Sequence, residues 1–201
     1  FNCENEHPSI KKEKEKNIII PIEQYGIKLL SIGLLIPKQN AVIWRGPMAS
    51  SALKQMILDV DWGELDYLIV DLPPGTSDIH ITLSQNFKIT GSIIITTPQK
   101  ISTIDAEKAV AMFNKDNTRV PILGIIQNMS HFISNDNDKH FIFGKNGGKT
   151  LSEKLNLELL GDIPIDKNIS ESSDNGYPVI LKDINSSKIF IDICKKIAEK
   201  I

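Results

Sequence analysis

At 201 residues, with 41% apolar and 24% charged residues, the chain has the length and composition of one globular domain with a sizeable core. A formal net charge of −2 gives no electrostatic case for nucleic acid or an anionic membrane as partner. Two cysteines, Cys3 and Cys194, are too few and too far apart for a disulfide framework, and no apolar run reaches membrane-spanning length, so a reducing cytoplasm is expected. The chain begins with Phe1, which predicts a piece or a processed product of a longer polypeptide.

Residues 1–16 are polar, with alternating Lys and Glu, and read as a solvated loop. Residues 17–22 and 28–34 read as strands about a Gln24-Tyr25-Gly26 turn, and 34–40 as a loop. Apolar residues recur at helical spacing over 48–60, just after Arg45, whose guanidinium suits either a phosphate or an ordinary surface ion pair. Residues 67–70 (Tyr-Leu-Ile-Val) form a continuous apolar run that predicts a strand buried on both faces. It ends in Asp71, followed by Leu72-Pro73-Pro74-Gly75, a turn that stops ladder pairing.

Asp78 is placed to N-cap a helix running to about Phe87. A strand at 92–96 follows, then a helix from Ser102 to Phe113, and an apolar strand at 120–127 that ends at Asn128. Residues 131–149 read as a polar loop, 150–155 as helix, 157–163 as a strand closed by Pro164-Ile165-Asp166, and 169–175 as a short helix. In the last helix, from about Ser186 to Ile201, Ile189, Ile193 and Ile197 share a face with Cys194 beside them, which makes Cys194 a core residue. Strands and helices alternating at this spacing predict an α/β fold in one domain, 1–201: a mainly parallel sheet with helices on both faces.

In such a sheet Asp71, Asn128 and the Pro164-Ile165-Asp166 turn fall at one edge, where ligands bind. An acid there holds magnesium beside nucleotide phosphates, a glycine such as Gly75 lets a backbone N–H approach a terminal phosphate, and an Asn can both donate and accept at a base edge. The acid and the turn by themselves fit equally well a strand end with an incidental Asp.

The longer string resolves this. Asp71-Leu72-Pro73-Pro74-Gly75-Thr76-Ser77-Asp78 resembles the Walker B and switch II segment of the Mrp/ApbC family, MinD-like P-loop ATPases that carry iron–sulfur clusters. Ile43-Trp44-Arg45-Gly46-Pro47-Met48, Asp61-Trp62-Gly63-Glu64-Leu65-Asp66, Thr96-Thr97-Pro98-Gln99, Gln127-Asn128-Met129 and Ile142-Phe143-Gly144 resemble further family blocks, in the family's order. The resemblance implies a MinD/ParA-like P-loop NTPase fold, with ATP and Mg2+ as cofactors and a cytoplasmic homodimer that exchanges clusters with scaffold proteins and apoprotein clients.

By the same likeness Asp71 holds magnesium, Gly75 belongs to switch II, Asn128 reads adenine, and Pro164 adds backbone contacts beside the base. Ser77 stands where the family usually has Gly, which stiffens switch II. Ser134 and Asn137 occupy the places of a Cys-x-x-Cys pair, and neither offers the thiolate an iron–sulfur cluster prefers. His131 and His140 lie in the same polar loop, more often a solvated place than a metal site, and one isolated Cys3 adds little.

No G-x-x-x-x-G-K-[ST] occurs, and Gly147-Gly148-Lys149-Thr150 follows a polar loop and lacks the first Gly. The family's P-loop unit would precede Phe1. The chain alone is therefore expected not to hydrolyse ATP, and, since the resemblance implies a P-loop strand beside the one ending in Asp71, to be unstable unless another polypeptide supplies that strand. Two other classes stay open: a non-catalytic binding or scaffold remnant, and a MinD/ParA-type positioning ATPase.

Overall fold

The computed structural model describes residues 1–13, 16–35, 46–182 and 184–201. Arg45, with Ile43 and Trp44 beside it, and most of the loop expected at 34–40 lie outside the described residues. Two compact units emerge, Phe1–Leu83 and Ser84–Ile201.

In the first unit β1 (Ser9–Glu13) pairs antiparallel with β2 (Lys16–Ile20), so the charged start is not simply a solvated loop. Its charged composition shows why the sequence hid it: all five residues of β1 are exposed, and Ser-Ile-Lys-Lys-Glu has no apolar alternation of its own. β3 (Ile22–Gln24) and β4 (Ile27–Leu29) make a hairpin in which Tyr25 (φ 53°) and Gly26 (φ 74°) take the two positive-φ places of a type I′ turn. The second expected strand stops there, and α1 (Ile32–Leu35) takes its C-terminal part. Helix α2 (Gly46–Leu58) buries Ala49 and Leu53, and the chain leaving it pairs at Val60, parallel, with Ile19 of β2.

The expected central strand at 67–70 is corrected: residues 67–73 are irregular, and Tyr67, Leu68 and Ile69 are 60%, 46% and 89% exposed. A strand needs a ladder partner for its N–H and C=O groups, and among the described residues none pairs with this segment. Helix α3 (Asp78–Asn86) follows.

The second unit is an α/β layer built on three parallel strands in the order β5–β6–β9: β5 (Ser92–Thr96), β6 (Ile122–Gln127) and β9 (Leu159–Asp162). Between them come α4 (Lys100–Phe113), the short hairpin β7 (Phe132–Ile133) and β8 (Lys139–His140), and α5 (Gly147–Leu155). The polar loop expected at 131–149 thus contains a hairpin and the first turn of α5. After β9 come α6 (Lys167–Asp174) and α7 (Asn185–Ala198).

Strand β6 runs down the middle and explains the two-sided covering. Ile125 points into a core with Ile94, Ala106, Val110, Phe113 and Leu151, on the side of α4 and α5. Its neighbour Ile126 points the other way, onto Leu160 and Ile193, with Ile189 and Ile197 of α7 packed around them. Cys194 is exposed, which corrects its core reading: one residue on from Ile193 is about 100° round the helix, off the apolar stripe.

Candidate functional site

The C-terminal ends of β6 and β9 build one edge. Ile163 N–H donates to the Gln127 carbonyl at 2.8 Å, Ser130 N–H to the Ile163 carbonyl at 2.9 Å, and Asn128 N–H to the Thr96 carbonyl at 2.8 Å. Asn128 and the Pro164-Ile165-Asp166 turn therefore sit side by side where parallel strands end, as expected for two of the three strand ends. Asn128 is half-buried and its Oδ1 accepts from Met129 N–H at 2.9 Å. Asp166 caps α6, its carboxylate accepting from Asn168 N–H (2.8 Å), Asn168 Nδ2 (3.0 Å) and Ser186 Oγ. Burial pushes its pKa up, but the bonds from Ser186 and Asn168 outweigh this and hold it below the usual carboxylate value.

The residue that organises this edge is Gln127, which the sequence showed only as part of a family block. Its side chain is 5% exposed and has a partner at each end: Nε2 donates to Asp162 Oδ1 and Oε1 accepts from Gly148 N–H, both at 2.6 Å. Asn146, the N-cap of α5, has φ 60° and makes no side-chain cap bond. Gln127 supplies the missing cap from another element, 21 residues away. This also explains the Gly147-Gly148 pair. A Cβ on Gly147 would strike the Pro98 carbonyl, and one on Gly148 would lie 2.8 Å from Gln127 Cβ. These glycines let a helix start press against the Pro98 backbone and the Gln127 side chain.

Ser134 and Asn137 turn the β7–β8 hairpin. Ser134 N–H donates to the Asp138 carbonyl, Asn137 N–H to the Ser134 carbonyl (both 3.0 Å), and Asn137 takes φ 63°. They present a hydroxyl and an amide and do not fit an iron–sulfur cluster. His140 is exposed. His131 is half-buried against Phe141 (ring centroids 6.1 Å apart), with Nδ1 2.9 Å from Ser130 Oγ. Burial and the Lys139 charge lower its pKa, against the pull of Asp162. Among the described residues no three His, Cys, Asp or Glu side chains gather as a metal site.

The other two predicted site residues belong to the first unit. Asp71 is an exposed carboxylate in the irregular stretch. Gly75 has φ 88°, a left-handed backbone that favours glycine, and a Cβ there would meet nothing within 4 Å. The turn ends on Ser77, whose carbonyl accepts from Ile81 N–H (3.4 Å), so Ser77 and not Asp78 is the N-cap of α3. The Asp78 carboxylate lies against Gly46 at the start of α2, where any side chain would collide with it.

A family described as the NUBPL iron-transfer P-loop NTPase (ParA) matches residues 1–201. The chain belongs to this family. An iron–sulfur protein required for NADH dehydrogenase, mitochondrial, from Arabidopsis thaliana is 43% identical over 97% of the chain, and an iron–sulfur cluster carrier protein from Aquifex aeolicus is 43% identical over 91%. The iron–sulfur cluster carrier protein of Escherichia coli (strain K12) is 42% identical over 100% of it. The chain spans 62%, 51% and 53% of those three relatives' length.

Among solved structures, a nucleotide-binding protein from Archaeoglobus fulgidus in complex with ADP superposes with TM-score 0.69 at 30% identity, covering 88% of this chain and 67% of its own. The cell division ATPase MinD of Pyrococcus furiosus superposes with TM-score 0.55 at 17% identity, over 80% of this chain and 64% of its own, a likeness of fold alone. The MinD-type P-loop NTPase fold expected from the sequence is therefore shown.

Proposed function

We propose that these 201 residues are part of one P-loop ATPase-type domain in an ATP-dependent iron–sulfur cluster carrier, acting in cluster assembly or in delivery to apoproteins. What carries this reading is the family match along the whole chain, together with about two-fifths identity to proteins named as cluster carriers. In it, Asp71 holds Mg2+ beside the phosphates, Gly75 offers its N–H to the terminal phosphate, Asn128 reads the adenine edge through its amide, and Pro164 lines the base. The protein works as a cytoplasmic homodimer, and its cargo passes between scaffold proteins and apoprotein clients. No P-loop sequence occurs in this chain, so its own measurable property is weak nucleotide binding rather than turnover.

Backbone-amide NMR titration tests this. Adenosine is expected to shift Asn128, Met129 and Ile165 alone, and MgATP to extend the shifts to residues 71–77. Asn128→Ala should remove the first set. Shifts outside both segments, or none at millimolar ligand, would overturn the assignment.

One observation favours a second reading, a non-catalytic binding or scaffold subunit: Ser134 and Asn137 stand in the hairpin turn where thiolates would be needed. Anaerobic reconstitution separates the two. Retained iron and sulfide that pass to an apo-ferredoxin support the carrier, and a chain that stays iron-free supports the scaffold. A positioning ATPase of MinD/ParA type ranks last, because Ile189, Ile193 and Ile197 of the final helix pack into the core and leave no apolar face for lipid.

A further inference from the structure

The turn at 73–77 is exposed, Gly75 at its centre has φ 88°, and a Cβ there would meet nothing within 4 Å. With Ser77 as N-cap, His80 is the third residue of α3, and its ring is 5% exposed. Ser77 N–H donates to His80 Nδ1 at 3.3 Å, and Ser77 Oγ lies 3.1 Å from the same nitrogen. A backbone N–H can only donate. Nδ1 must therefore accept, which fixes the neutral ring with its proton on Nε2. This is one half of a capping box, in which the third helical residue reaches back to the N-cap N–H, with His in the place usually held by Glu or Gln. The bond from Ser77 N–H fastens the C-terminal end of the turn to the first turn of α3.

We propose that His80 is the positioning residue of this turn: by accepting from the Ser77 N–H at the turn's C-terminal end, it holds Gly75 in its left-handed conformation, ready for the ligand. The identity of that ligand as a terminal phosphate rests on the function proposed above, whereas the bond itself stands on geometry alone.

Amide hydrogen exchange on the ligand-free chain tests it, comparing wild type with His80→Leu and His80→Gln. The leucine fills the ring's volume without an acceptor and is expected to speed exchange at Ser77 by about fivefold, the worth of one net hydrogen bond, while Leu83 in α3 and Ile125 in the second unit change less than about twofold. Gln, which brings an amide oxygen to the same place, should restore the wild-type rate at Ser77. Equal exchange at Ser77 in wild type and His80→Leu, or no rescue by Gln, would overturn the role.

If the leucine variant does not fold, the wild-type 15N spectrum decides. An unprotonated, hydrogen-bonded Nδ1 at neutral pH is the expected signature, and a proton on Nδ1 would overturn the bond. Neither measurement involves nucleotide. A chain that fails to respond to MgATP but shows the exchange pattern keeps the latch and loses only the phosphate reading.

Discussion

Replacing Gln127 by Leu removes the tertiary cap of α5 while keeping the side chain's bulk. Gly148 N–H then sits buried with no acceptor, which costs about 1–3 kcal/mol. The lost bond to Asp162 adds at most about 0.5–1 kcal/mol, because that carboxylate is exposed and water replaces its partner. Burying apolar Leu in place of an amide returns about 1 kcal/mol. The net cost is about 2 kcal/mol, which for a chain of this size lowers the melting temperature by roughly 4–8 °C. Gln127→Glu keeps an acceptor for Gly148 but buries a carboxylate against that of Asp162, so it should cost at least as much in the melt while leaving the Gly148 amide protected. Thermal melts followed by circular dichroism, with exchange at the Gly148 amide as local readout, give both numbers. A leucine variant that melts within about 1 °C of wild type, with Gly148 still protected, would refute the cap.

Gly147→Ala should destabilise the second unit by about 1–3 kcal/mol, since its Cβ meets the Pro98 backbone and the helix start or the 97–98 turn must move; a urea melt checks it. Asp166→Ala loses the N-cap of α6 and the Ser186 bond, about 1 kcal/mol, and Asp166→Asn should lose less by the same assay. Because the folded pKa of Asp166 lies below 3.8, its contribution is present above that pH and is lost as pH falls through the folded value. His80 runs the same way, in a higher pH window. Burial lowers its pKa below 6.5, so below pH 6.5 the unfolded chain binds more protons than the folded one. Stability is full above that pH and declines on acidification towards the folded pKa, and melts from pH 7.5 to 5.5 should show a shallower slope in His80→Gln.

Much of the second unit is legible because its signals are local. The apolar run of β6 and the Ile189, Ile193, Ile197 stripe of α7 carry their own periods, and the sequence also brings Asn128 and Pro164 to one edge through two parallel strands. What escapes a linear reading is the long-range polar bond. Gln127 capping α5 joins residues 21 apart, and Asn146, with the residue type of an ordinary N-cap, makes no cap bond. Likewise Asp78 has the residue type of a cap, yet the backbone bonds make Ser77 the cap and His80 its partner. The hairpin at Ser134 and Asn137 was hidden by composition, because a two-residue ladder needs no apolar pattern.

Residues 67–70 show the limit of a periodicity argument. The run Tyr-Leu-Ile-Val has every intrinsic preference for a strand, and preference alone gives no strand when, among the described residues, the backbone has no ladder to join. An apolar, β-branched segment left exposed with unsatisfied pairing capacity is a template for another chain. The expected consequence is concentration-dependent self-association through this segment. Ile69 is 89% exposed, so Ile69→Lys should leave the melting temperature of dilute protein unchanged, within about 0.5 kcal/mol, while suppressing association measured by light scattering. A wild-type chain that stays monomeric at high concentration would refute the exposed-template argument. A marked loss of stability in Ile69→Lys would refute it differently, by showing that the side chain is buried and that residues 67–70 already have a partner.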